Sequence, residues 1–131
     1  MMNEIMIAIH PEFAEKIFKG IKKYEYRKQK PRGFVDTLII YATKPIGKVV
    51  GEVEVEYIYS HSPYMIWQWT RKHSGMSYEQ YFKYFVGKRK AYAYKLGKVT
   101  KYDKPKKISD FGIKKAPQSF VYIKRKEKNY E

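Results

Sequence analysis

The chain has 131 residues and carries 28 Lys and Arg against 13 Asp and Glu, a formal net charge of +15. That length suits one domain with a single core, and an apolar share of 44% suits a chain that folds without a partner. The absence of cysteine excludes disulfides and thiolate metal sites, and the lack of a signal peptide or an apolar run near about 18 residues makes the cytoplasm the expected location.

Residues 4–9 read as a first strand. Pro11 suits the first turn of a helix, with Glu12 at its positive end. Phe13, Ala14, Ile17 and Phe18 form one apolar face at helical spacing, and Gly20 supplies the stop. A second strand follows over roughly 22–28, and Pro31-Arg32-Gly33 turns the chain. The apolar run 37–42 predicts a short strand covered on both sides. After a turn at Lys44-Pro45-Ile46-Gly47, residues 49–59 alternate. Val49, Gly51, Val53, Val55 and Tyr57 are expected on one side, Glu52, Glu54 and Glu56 on the other. A hard-cation site needs ligands from several elements, so these glutamates read as a solvated rim.

Ser62-Pro63 starts a helix with Met65, Ile66 and Trp69 on its apolar side, ending at Ser74-Gly75. Ser77 and Gln80 have capping-box spacing for a second short helix through Tyr81, Phe82 and Phe85 to Gly87. Residues 88–102 read as a long Tyr/Lys strand bent at Gly97. A loop over 104–117 and a closing strand over 120–124 complete a domain spanning 1–124, with a charged tail at 125–131. The expected fold is α+β, a small mixed β-barrel of five or six strands with two or three short helices at its ends.

Charge is uneven along the chain. Residues 1–70 hold 10 basic and 8 acidic groups, whereas residues 71–131 hold 18 and 5. Such a field attracts polyanions, nucleic acid above all; the ordinary alternative is a Lys-rich proteome with solvated lysines. The 14 tyrosines can stack on bases but in a small barrel more often pack between core and rim, and the interleaved Tyr and Lys of 90–95 suit a nucleotide-facing sheet and a half-buried strand equally.

The most specific local signal is Gly20-Ile21-Lys22-Lys23-Tyr24-Glu25-Tyr26-Arg27, a G-x-K-x-x-E-x-R pattern. Glu25 and Arg27 are two apart, so a strand projects both from one face. Lys22 has the opposite parity and joins them only from the preceding turn or a bulge. A plain charged strand is the bland reading. Together with the early Pro-started helix, Leu38-Ile39-Ile40-Tyr41-Ala42 and Gly47-Lys48-Val49-Val50-Gly51-Glu52-Val53, the pattern resembles an ASCH domain. This small β-barrel family is related to the PUA-like RNA-binding domains. The likeness continues through Ala91-Tyr92-Ala93-Tyr94-Lys95-Leu96 to Ala116-Pro117-Gln118-Ser119-Phe120-Val121-Tyr122-Ile123.

The resemblance implies a cleft lined by the motif that takes RNA or a nucleotide, with ribonuclease activity as a further expectation. Lys22 is the candidate proton donor or phosphate-binding cation, and Glu25 the candidate base or orienting group. Arg27, Tyr41, Lys95 and Ser119 are candidate ligand contacts: Arg27 through paired donors, Tyr41 by stacking. His10, His61 and His73 lack metal spacing and read as structural or solvent-facing. Trp67 and Trp69 read as core or rim. No cofactor, metal or membrane partner is expected, since no P-loop, dinucleotide or G-x-S-x-G pattern is present.

Two alternatives remain open. One ASCH branch hydrolyses acylated cytidine with the motif Lys, a Thr three residues later and a distant Glu. Here Lys22 is kept, Glu25 replaces the Thr, and Lys72-His73-Ser74-Gly75-Met76 offers no carboxylate. The other is a non-catalytic interaction domain in which Glu25–Arg27 is an internal salt bridge.

Overall fold

Two parallel strands with opposed apolar faces organise this chain, for which a computed structural model describes residues 3–123. They are β1 (Glu4–Ile9) and β3 (Thr37–Ala42), paired from Glu4↔Thr37 to Ile9↔Ala42. Ile5, Ile7, Ile9, Leu38 and Ile40 enter the main core, while Met6, Ile39 and Tyr41 enter a second cluster on the other face. β3 is buried at every residue. Coverage on both sides is why its sequence is a continuous apolar run rather than an alternation.

Around this pair, β2 (Tyr24–Arg27), β4 (Lys48–His61), β5 (Ala91–Lys106) and β6 (Phe120–Tyr122) complete a sheet of order β2-β5-β4-β3-β1-β6. The remaining pairings are antiparallel. The sheet curls into a half-barrel with three α-helices, the α+β architecture expected from the sequence. Helix α1 (Pro11–Phe18) buries Ala14 and Ile17 in the main core. Helices α2 (Pro63–Thr70) and α3 (Tyr78–Tyr84) form a third cluster with β2 and the start of β5, built on Tyr26, Ile66, Trp67, Tyr81 and Phe85. Ser62 caps α2 by accepting from the Met65 amide, and Ser77 and Gln80 make the reciprocal box that starts α3. None of the helices among the described residues is long and apolar enough to cross a membrane.

Departures from the sequence reading have local causes. Register shifts between Val49 and Gly51, and between Val55 and Tyr57, break the alternation of β4. Val49 therefore joins the second cluster while Val53 and Val55 stay in the first, and Tyr57 is exposed. In α2 it is Trp67, not Trp69, that is buried with Ile66. The register of β5 slips around Gly97, where the bend was expected, but the strand runs on to Lys106. Ile108–Phe111 is a 3-10 turn, and with Ile113 it covers the second cluster. The tail at 125–131 lies outside the described residues.

Gly51 lets α1 lie close to β4. A Cβ there would stand 2.5 Å from the Thr100 carbonyl oxygen and 2.6 Å from the Phe18 ring. The Gly51→Ala variant is expected to lose about 1–3 kcal/mol to overpacking, read from the urea midpoint.

Candidate functional site

Lys22 reaches the site because α1 ends abruptly. The Lys16 carbonyl accepts from both the Ile21 and Lys22 amides, folding the chain back through Gly20 before β2 begins. The motif lysine thus sits in the turn before the strand, where the parity problem disappears. Its side chain passes over Gly75, whose added Cβ would be 2.5 Å from the Lys22 Cβ. The ammonium donates to the Ser74 carbonyl at 2.7 Å and lies over the rings of Tyr26 and Phe13, at 4.7 and 5.2 Å from their centroids. Glu25 Oε1 is 4.0 Å away. Lys22 is 2% exposed, and the cost of desolvating its charge lowers its pKa to about 8, against the opposing pull of Glu25.

Arg27 works differently. Its Nε and Nη2 donate to Glu25 Oε2 at 3.0 and 2.8 Å, and Nη2 also donates to the Ala8 carbonyl at 2.6 Å. Nη1 reaches Ser119 Oγ at 3.4 Å. β2 is one edge of the sheet, while Ala8 and Ser119 belong to β1 and the approach to β6 at the other. The guanidinium therefore spans the opening of the half-barrel, with its inner donors committed to protein and Nη1 on the outer side.

Between these groups is a hollow of about 530 Å³. Lys22, Glu25, Arg27 and Ser119 all line it, with Lys22 and Glu25 as a buried floor. Tyr41 and Lys95 do not. Tyr41 packs with Met6, Ile39 and Val49 on the opposite face of the sheet. Lys95 registers with Tyr24, on the other parity from the Tyr94 and Tyr92 partners of Glu25 and Arg27, and pairs with Glu56 at 3.6 Å.

Sequence reasoning missed His10, Lys28, Tyr84 and Lys88, which also line the hollow. His10 follows β1 directly and precedes the helix-starting Pro11, so its place at a strand's mouth was available as a signal. Lys28 lies 4.5 Å over the Tyr84 ring, a contact no spacing rule foretells. Among the described residues, three of the four Lys and Arg lining the hollow come from the less basic half of the chain. Burial pushes the Tyr26 phenol well above its ordinary range; it donates to Thr70, whose hydroxyl is turned to the Ile66 carbonyl. Among the described residues no group of three or more His, Asp or Glu converges as a metal site.

A six-stranded half-barrel with three helices is the architecture of a PUA-like domain. The ASCH domain family matches residues 7–108, and the chain belongs to that family. A Zymomonas mobilis protein named ASCH domain-containing ribonuclease is 31% identical, over 95% of this chain and 87% of that one. The crystal structure of ASCH from Zymomonas mobilis superposes with a TM-score of 0.85 at 28% identity, covering 93% of this chain and 88% of that chain. Two Ureaplasma parvum proteins, named ATP synthase subunit alpha and large ribosomal subunit protein uL22, are 36% and 35% identical over 92% of this chain. The chain spans only 15% and 39% of their lengths.

The sign of the Lys22 contribution to stability follows from linkage. With a folded pKa of about 8 and an unfolded value near the ordinary lysine 10.5, the unfolded chain holds the extra proton between those limits. Stability from this group is full above the upper limit and lost as pH falls through about 8. Wild type should therefore gain stability relative to Lys22→Met between about pH 8 and 10 in denaturant titrations.

Proposed function

We propose that this protein binds RNA with one phosphate seated in the hollow and cleaves the chain at that phosphate. The observation that carries the reading is the convergence of the Lys22 ammonium, the outer guanidinium nitrogen of Arg27 and the Ser119 hydroxyl on one open hollow. Lys28 and Lys88 add charge at its walls, and Glu25 is its single carboxylate among the described residues. The ribonuclease named among the relatives supports the same reading.

The chemistry assigned to each group follows its surroundings. RNA carries its own nucleophile, so the 2′-oxygen attacks phosphorus while the 5′-oxygen leaves. Arg27 and Lys22 stabilise the charge that builds on the phosphoryl oxygens, Lys22 from a position itself shielded from water. Lys22 delivers the proton to the departing oxygen, a task suited to an amine whose pKa is near the working pH. Glu25 has one oxygen tied to Arg27, which makes it a positioning residue here rather than a base. His10, exposed at the rim, takes the proton of the 2′-hydroxyl. A single nucleotide is the minimal ligand of the same hollow.

Labelled single-stranded RNA tests this directly. Arg27→Ala should weaken binding about tenfold or more, as loss of a charge-assisted phosphate contact does. Lys22→Met should abolish cleavage with binding reduced less, and wild-type cleavage should decline as pH rises through about 8, where the donor loses its proton. Cleavage should persist in a metal chelator. Binding untouched by Arg27→Ala at physiological salt refutes the hollow, and cleavage that survives Lys22→Met refutes the assigned donor.

A further inference from the structure

Beyond the hollow, the molecule carries a run of aromatic rings along the border of the third cluster, against which Tyr24 and Tyr59 are half-buried. Tyr57 and Trp69 are 60% and 50% exposed. Tyr57 and Tyr59 have ring centroids 4.9 Å apart, Tyr59 and Trp69 6.3 Å, and Trp69 and His61 5.2 Å. Tyr24 joins at 6.4 Å from Tyr59. The planes meet at 56 to 74°, so the rings touch by edges and tilts rather than stacking face to face on one another.

Apolar exposure of this size marks an interaction surface, and the charge beside it indicates the partner. Trp69, near the end of α2, is followed directly by the 3-10 turn Arg71-Lys72-His73, all three exposed. Lys23, also exposed, is bound to that turn through its amide and the His73 carbonyl. Among the described residues Lys23, Arg71 and Lys72 form no ion pair. Two carboxylates adjoin the strip in sequence: Glu56 faces Lys95 at 3.6 Å, and Glu25 is tied to Arg27 at 2.8 Å. The basic turn also leads to the hollow, since Ser74 binds the Lys22 ammonium and Met76 lines the cavity.

We infer that this strip, Tyr57, Tyr59, Trp69 and Tyr24 with the basic turn beside it, is a stacking platform for the bases of single-stranded RNA extending from the hollow. The inference rests on the RNA reading of that hollow. Aromatic faces hold bases of any identity, and neighbouring cations track the phosphates between them. Recognition on the strip is accordingly tolerant of sequence, and the hollow supplies the fixed phosphate.

The test uses 2′-O-methyl RNA of about eight nucleotides, which resists cleavage by its own 2′-oxygen, beside a single nucleotide that fills only the hollow. Trp69→Ala should weaken the longer ligand about tenfold, the worth of one stacked base, and leave the nucleotide unaffected. Trp69→Phe should restore most of that loss, and bound RNA should quench the fluorescence of exposed Trp69. Unchanged affinity in Trp69→Ala overturns the platform. So does a Trp69→Ala effect on oligomeric state alone, seen by sedimentation, which gives the strip to a second copy. If Arg27→Ala weakens the longer ligand and Trp69→Ala does not, the hollow stands and the platform falls; the reverse pattern leaves the platform and removes the hollow.

Discussion

One side chain spans the open seam of this half-barrel. Arg27 ties Glu25 on the same edge strand to the Ala8 carbonyl beyond the gap, with three donor–acceptor distances of 3.0 Å or less. A curled sheet with two free edges exposes unpaired backbone to water and to other chains. Here the charge-assisted fork joins the edges without a ladder, and the space left beneath it is the hollow. Removing a charge from water costs free energy, and a partly buried ion pair is weak evidence for stability on its own. The value of this pair is geometric: it fixes where the seam stops and leaves one donor nitrogen and the Ser119 hydroxyl at its mouth.

Lys22 is the counterpart below. It is held by a carbonyl, two aromatic faces and a carboxylate at the limit of ion pairing, with the Arg27 and Lys16 cations opposing its charge. That environment stabilises the cation only in part, which is why its pKa is drawn down. Stability alone would favour an apolar side chain in its place. A desolvated amine at the base of an open cavity is the kind of local cost found where chemistry is carried out. Gly75 shows how far the packing is arranged around it, since any larger residue there would collide with the lysine stem.

Charge and aromaticity are divided between surfaces. The hollow gathers cations from the turn before β2, from β2 itself and from the segment after α3, whereas the described lysines beyond Gly97 do not line it. The tyrosines divide too: Tyr26, Tyr81 and Tyr94 are buried, while Tyr57 is exposed after the register slip in β4 and Tyr59 is half-buried beside it.

Sequence by itself determined the strands at 4–9 and 37–42, the capped starts of α2 and α3, and the grouping of Lys22, Glu25 and Arg27. These are encoded locally, by periodicity, capping chemistry and turn residues acting over a few positions. It did not determine which face Tyr41 or Lys95 takes, because bulges and pairing register shift side chains by a whole face and depend on the partner strand. Nor could it show Lys88 beside the motif, or Arg27 reaching Ala8. Those meetings join residues far apart in the chain, and only the curl of the sheet, set by packing on both its faces, brings them together.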